Sequence, residues 1–253
     1  MSTDDESFNE FDDIEWWNVY TKLYVQDIYC HDPMKRMASM YFRPQFIDAA
    51  RFYKSCSDSL LESITYLQLS LLDDCCRAYH HTGRRPSQLF YKIEQRVIPG
   101  VTRGVLDAMR VLKEHRIDLV VDINVPSFEM LSSLHQRALY EIVDNGYSIC
   151  IGGYDWRNNS PQHIHIMSEL LSFIRVGPPP SNLAEVNHFI DTCFYIKERL
   201  GSNIIIDRIQ SKTDLDFACR TPYFALMGDY ISPPCLAKGL DNVFSKVCYD
   251  KGK

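Results

Sequence analysis

The stretch from Ile117 to Trp156 constrains the chain most, because it reads strand, helix, strand with both strands of the buried type. Ile117-Asp118-Leu119-Val120-Val121-Asp122-Ile123-Asn124 is a short apolar run that turns polar at its end. That is the pattern of a parallel strand covered on both faces whose carboxyl end opens into a site. Pro126-Ser127-Phe128-Glu129 then reads as a helix start, with Leu131, Leu134, Ala138 and Ile142 spaced to form one apolar face before Asp144-Asn145-Gly146 stops it. The second strand, Tyr147 to Ile151, runs into Gly152-Gly153-Tyr154-Asp155-Trp156. Such a unit sets two strand ends side by side, where barrel enzymes keep their chemistry. Here one end carries Asp122 and the other opens on two glycines.

The same alternation extends in both directions. Lys22 to Tyr29 and Lys35 to Arg43 are strand-like runs separated only by Cys30-His31-Asp32-Pro33, so the two strands must be antiparallel. Asp58 to Tyr79 is the longest predicted helix, with Leu60, Ile64, Leu67, Leu71, Cys75 and Ala78 as its core stripe and Thr82-Gly83 at its end. A strand from Gln88 to Ile93 follows, then a helix with Val101, Val105, Ala108 and Leu112 inward. Beyond Trp156, Asn158-Asn159-Ser160-Pro161 marks a helix start, and a strand near Leu171 to Val176 is broken by Gly177-Pro178-Pro179-Pro180. A helix over Asn182 to Leu200 turns Val186, Ile190, Cys193 and Leu200 to one face and closes at Gly201. It hands over to the strand Asn203 to Asp207, and the last strand lies near Tyr223 to Met227. A final amphipathic helix is expected from about Cys235 to Cys248.

Length and composition fit that reading. A chain of 253 residues that is 45% hydrophobic can build one barrel-sized core, although length alone also admits two smaller domains. The expectation is one domain over residues 20–253, preceded by residues 1–19. Within that leading segment Ser2 to Glu15 is dense in acids, with Phe8, Phe11 and Ile14 interleaved. It is either a solvated tail or a short amphipathic helix. A net charge of −6 provides no basic stripe for a nucleic-acid backbone. There is no apolar run of membrane-spanning length and no signal-peptide pattern, so the expected location is the cytoplasm. The nine cysteines show no CxxC spacing and read as free, buried thiols.

In order, these segments resemble an EAL domain from about Tyr20 to Pro234. Leu23-Tyr24-Val25-Gln26 is similar to that family's first strand, Met40-Tyr41-Phe42-Arg43 to its signature strand, and Gly228-Asp229-Tyr230-Ile231-Ser232-Pro233-Pro234 to its closing QGY-x-F-S-x-P segment. The resemblance implies an α/β fold, a modified (β/α)8 TIM-like barrel with an antiparallel first strand. In the family, carboxylates at the strand ends hold two divalent metals that hydrolyse cyclic di-GMP.

Matched position by position, that catalytic set is missing here. The Glu of the signature falls on Ser39, and the Asn ligand of the third strand falls near Lys92, whose charge opposes a cation. The fourth-strand Glu becomes Asp122, and the paired aspartates of the DDFG segment become Gly152 and Gly153. The Lys-x-Asp pair becomes Arg175 and Gly177, and a guanidinium stays charged where a lysine can be tuned. The seventh-strand Glu is Asp207, the next loop acid is Gln210, and the Gln of QGY is Met227. Two-metal hydrolysis needs several converging oxygens, and only Asp122 and Asp207 remain. Both are otherwise read as strand-end acids bonded to neighbouring backbone or to Arg175. Asp155 lies within a short slip of the matching, but adopting it leaves Ser39, Lys92 and Arg175 unchanged.

Gln26 and Arg43 coincide with positions that contact the nucleotide in the family, which leaves cyclic di-GMP binding weak or absent. His80-His81, and His163 with His165, suit a surface or packing role better than a metal, because i, i+2 histidines converge only on a strand. No cofactor is expected. The resemblance is to the degenerate, stand-alone EAL proteins of enteric bacteria, which carry no GGDEF or sensory domain. It implies an anti-activator that contacts FlhD of the flagellar master regulator FlhDC, with neither DNA nor membrane as partner. A degenerate cyclic di-GMP receptor is the alternative, and an active phosphodiesterase stands third.

Overall fold

The computed structural model describes residues 21–32, 34–44, 48–80, 85–124, 131–159, 162–165 and 168–236. Strand β1 (Thr21–Cys30) runs antiparallel to β2 (Met37–Pro44), with Gln26 opposite Ser39 and Lys22 opposite Arg43. Lys35 N–H donates to the Asp32 carbonyl in the tight connection between them. Helices α1 (Ala49–Ser55) and α2 (Asp58–His80) lead to β3 (Gln88–Ile93), α3 (Ile98–Glu114), β4 (Asp118–Ile123), α4 (Ser133–Asp144) and β5 (Ser148–Tyr154). A one-turn helix α5 (Gln162–His165) precedes β6 (Leu171–Val176). Then come α6 (Leu183–Tyr195), which continues as a π-helical turn over Ile196–Leu200, β7 (Asn203–Ile206), α7 (Lys212–Ala218), β8 (Ala225–Leu226) and β9 (Cys235–Leu236).

Strands β2 to β8 are parallel neighbours in chain order, and β1 closes the ring by pairing antiparallel with both β8 and β2. The fold is therefore a closed eight-stranded α/β barrel with an antiparallel first strand, as the sequence predicts. Two apolar layers follow from the period-two alternation of strand side chains. One residue set per strand, including Phe90, Val120, Cys150, Phe173, Ile205 and Ala225, fills the barrel interior. The alternate residues, such as Leu89, Val121, Ile151, Ile174 and Ile204, pack outward against the helices.

Several elements differ in detail from the sequence reading. Helix α4 starts at Ser133, because the Ser132 hydroxyl caps it by accepting from His135 N–H; the expected start at Pro126-Ser127-Phe128-Glu129 lies outside the described residues. Its inward face centres between Ala138 and Leu139, so Leu134 falls off the stripe and is 64% exposed. On α2, two leucine sets compete at helical spacing. Leu61, Ile64 and Leu72 take the core, Gln68 accepts from the buried Tyr91 hydroxyl, and Leu60 and Leu67 are left half-buried. The side chains of Cys75 and Ala78, and Thr82-Gly83, lie outside the described residues. On α3 the inner position beside Ala108 belongs to Met109, and on α6 Phe189 is buried where Ile190 is half-buried.

Cys235 is not helical. With Leu236 it forms β9, which pairs with Tyr24 and Val25 of β1; the rest of the expected terminal helix, and residues 1–19, lie outside the described residues. Cys30, Cys150 and Cys193 are buried free thiols, whereas Cys219 and Cys235 are exposed, a correction to the reading of all as buried. Burial pushes the Cys193 thiol up to about 12, partly offset by a hydrogen bond with Thr221.

Candidate functional site at the barrel mouth

Each strand carries its candidate site residue two positions beyond an interior residue: Phe90 then Lys92, Val120 then Asp122, Cys150 then Gly152, Phe173 then Arg175, Ile205 then Asp207, Ala225 then Met227. The alternation therefore puts all six on the inside, one layer above an apolar floor. Ser39 and Gln26 join them from β2 and β1, directly opposite one another. In the strand register Lys92 pairs with Asp122, and Asp122 with Cys150.

An ion triad dominates the centre. Arg175 donates through Nη1 to Asp122 Oδ2 and through Nη2 to Asp207 Oδ2 at 2.8 Å. Asp122 is only 1% exposed, and the Arg175 side chain 12%. Burial works against the charge on Arg175, but Asp207 and Asp122 outweigh it and push the pKa of the guanidinium above its ordinary value. The second oxygen of Asp207 accepts from Arg208 N–H at 2.7 Å, which holds Arg208 in the left-handed region at φ 60°. Beneath the triad, burial first and the Asp122 charge second raise the Cys150 thiol far above its ordinary range, so it stays a neutral core group.

The glycines make room for these acids. A Cβ on Gly152 would stand 2.4 Å from Asp122 Oδ1, and one on Gly177 would stand 2.3 Å from the Asp207 backbone oxygen. Gly153 has φ 68°, in the register shift between Ile151 and Tyr154 where β5 bulges against β6. Asp155, on the far side of the bulge, spends its carboxylate locally, accepting from Arg157 N–H at 3.1 Å and from the Asn158 amide at 2.7 Å.

The remaining positions divide. Ser39 is buried, Lys92 is exposed, and Met227 is buried in the interior cluster. Gln210 is exposed at the surface ahead of α7, its N–H donating to Asp214. Gln26 is 6% exposed, and its amide donates to Asp229 Oδ1 at 3.2 Å and to the Ser232 carbonyl at 2.9 Å. It latches the closing segment over the first strand. Arg43 stands exposed at the end of β2. Tyr41, between Ser39 and Arg43 on the same face, was not among the predicted site residues, although period two from Ser39 points to it. Its hydroxyl is pushed up by burial, against the lowering effect of Arg43, and it stacks on Tyr24 at 6.0 Å. His165 is exposed on the one-turn α5, so no strand aligns it with His163.

No family model and no curated protein matches the sequence. Solved structures do match in fold. The EAL enzyme Bd1971 in its cGMP-bound form is 13% identical with a TM-score of 0.66, over 91% of this chain and 66% of that one. The Bacillus subtilis YkuI protein, with an EAL domain in complex with cyclic di-GMP and calcium, is 12% identical with a TM-score of 0.65, over 93% and 62%. The FimX EAL domain from Pseudomonas aeruginosa bound to cyclic di-GMP is 14% identical with a TM-score of 0.64, over 86% and 92%. The chain thus spans about two thirds of Bd1971 and YkuI and nearly all of the FimX domain. The fold is that of EAL domains.

The donors at this mouth do not fit a divalent ion. A hard cation such as Ca²⁺ or Mg²⁺ takes six or more oxygens, some of them from waters and several from protein carboxylates or carbonyls. Here one oxygen of each acid is bound to a guanidinium already, and Gly152 and Gly153 contribute none. Among the described residues no three His, Cys, Asp or Glu side chains gather as a metal cluster.

Proposed function

We infer that this chain is a catalytically inactive protein of EAL fold that works by protein contact, as an anti-activator directed at FlhD of FlhDC. The observation that carries the reading is the Arg175 guanidinium held between Asp122 and Asp207. Metal-assisted hydrolysis of a phosphodiester needs those oxygens on cations that activate a water, and in this chain they neutralise an arginine. The barrel then serves as scaffold, and its outer helices become the working surface. That surface has apolar side chains to offer: Tyr66 and Val111 flank a groove of about 500 Å³ between α2 and α3, and Leu183 and Phe194 are exposed on α6. Repression is by contact with the activator and not with its promoter, in keeping with the net charge of −6. In this respect the chain resembles the YdiV-type anti-FlhDC factors of enteric bacteria. The site of action is the cytoplasm; among the described residues no helix is long and apolar enough to cross a membrane.

A second reading, a receptor that binds cyclic di-GMP without cleaving it, draws on Arg43 and Tyr41 at the mouth. Against it, the Gln26 amide is engaged by Asp229 and Ser232. The test is co-purification with FlhD, followed by a mobility-shift assay of FlhDC on a flagellar promoter, with cyclic di-GMP turnover in Mg²⁺ or Mn²⁺ measured on the same preparation. Expected are a stable complex, loss of the FlhDC–DNA band and no linear dinucleotide. An undisturbed band at excess protein removes the anti-activator reading. Metal-dependent turnover lost in Asp122→Asn removes the inactive one, and tight nucleotide binding abolished by Arg43→Ala promotes the receptor.

A further inference from the structure

The triad is placed to do mechanical work. Strands β4 and β7 are not neighbours; β5 and β6 lie between them in the sheet. Arg175, on β6, reaches β4 through Asp122 and β7 through Asp207, so one side chain ties three strands across the lumen. Both acids are seated against glycines, Asp122 against Gly152 and the Asp207 backbone against Gly177, at distances no side chain would tolerate. Burying carboxylates this deeply is costly unless a countercharge is built in. Among the described residues, two atoms of the group have no hydrogen-bond partner, Asp122 Oδ1 and Arg175 Nε. The acid pair therefore has oxygen capacity that the guanidinium does not use.

We propose that Arg175 is a built-in cation that replaces an added one, bracing β4, β6 and β7 from inside the barrel, and that removing its guanidinium turns Asp122 and Asp207 into a weak divalent-cation site. The proposal rests on the non-catalytic reading of this mouth, but its test uses neither nucleotide nor FlhD, so the two fail separately. The site so opened is of hard-oxygen type, suited to Ca²⁺ or Mn²⁺, because both donors are carboxylates.

The experiment is thermal unfolding of the full chain as parent, as Arg175→Met, and as Arg175→Met/Asp122→Asn/Asp207→Asn, each with and without millimolar Ca²⁺ or Mn²⁺. Methionine keeps the bulk and deletes the charge. Stranding two buried carboxylates is expected to lower the melting temperature of Arg175→Met by about 10 °C. The neutral triple variant is expected to return most of that loss, because no ion is left unpaired. Either cation should raise the melting temperature of Arg175→Met and leave the parent and the triple variant unmoved. Arg175→Met melting with the parent, or the triple variant falling as far as Arg175→Met, overturns the brace. A parent that responds to the cations as Arg175→Met does, or an Arg175→Met that ignores them, overturns the substitution for an added cation. Should Arg175→Met not fold, the triple variant decides alone: cooperative unfolding near the parent supports the brace, and failure to fold overturns it.

Discussion

Adding one methyl group at Gly152 should measurably destabilise the barrel. The new Cβ would lie 2.4 Å from Asp122 Oδ1, 3.3 Å from its Cγ and 3.4 Å from Oδ2, so the whole carboxylate must give way. A free carboxylate would simply rotate. Asp122 cannot do so cheaply, because it is buried and its Oδ2 is bound by Arg175. Overpacking of this kind costs about 1–3 kcal/mol, and at roughly 2–4 °C per kcal/mol for a chain of this size Gly152→Ala should melt about 2–12 °C below the parent. The assay is calorimetry or circular dichroism of Gly152→Ala in two backgrounds, parent and Asp122→Ala. In the second background the obstacle is gone, so the cost of the methyl should shrink by most of its value, a coupling that additive effects would not produce. Equal costs in both backgrounds, or a Gly152→Ala protein that melts with the parent, would refute the idea that Gly152 exists to seat Asp122. The same geometry applies to any larger side chain: an aspartate placed at Gly152 meets the Asp122 carboxylate first.

Two further outcomes are expected. Gln26→Leu deletes the two hydrogen bonds that latch the closing segment, worth about 1 kcal/mol each. Amide exchange of Ile231 and Ser232, both bonded to the Gly228 carbonyl, should accelerate by about tenfold or more, and unchanged rates would show that the segment holds itself. Glu185 accepts from Arg157, and that hydrogen bond first, with help from Ser181 N–H, the Arg157 charge and the Asn182 side chain, lowers its carboxyl below the ordinary 4.5 against the opposing effect of desolvation. Its contribution is fully present above 4.5 and is lost as pH falls through the lower folded value, so the melting gap between parent and Glu185→Gln should be open at neutral pH and close in acid. A gap that widens in acid contradicts that sign.

Much of this was legible in the sequence, for a definite reason. Strands with β-branched runs such as Val120-Val121 and Ile204-Ile205-Ile206 admit little else than a buried parallel sheet, and the short Asp32-Pro33 connection forces β1 and β2 antiparallel. Helix starts were less legible. Helix α4 begins at Ser133 behind the Ser132 hydroxyl, which accepts from His135 N–H, while the expected start at Pro126-Ser127-Phe128-Glu129 lies outside the described residues. The inward face of α2 was ambiguous for a different reason: Leu60, Leu61, Ile64, Leu67, Leu71 and Leu72 satisfy helical spacing in two phases, and packing against α3 and the barrel chooses between them. The partners of Gln26 were not legible from position alone, since nothing local to β1 announces that Asp229 and Ser232, some two hundred residues away, would take its amide.

The site itself was legible because strand periodicity fixes direction before any coordinate is known. Once Phe90, Val120, Phe173 and Ile205 are taken as interior, Lys92, Asp122, Arg175 and Asp207 must face inward too, and four charges cannot share a lumen unpaired. Two acids and one guanidinium facing the same lumen leave few solutions other than the bridge observed, with Lys92 exposed to solvent. The bridge requires that β5 bring no bulk against Asp122, and Gly152 meets that requirement. Gly152 and Arg175 are thus coupled in physical terms through Asp122: the glycine leaves room for its carboxylate, and that carboxylate and Asp207 need the guanidinium's charge.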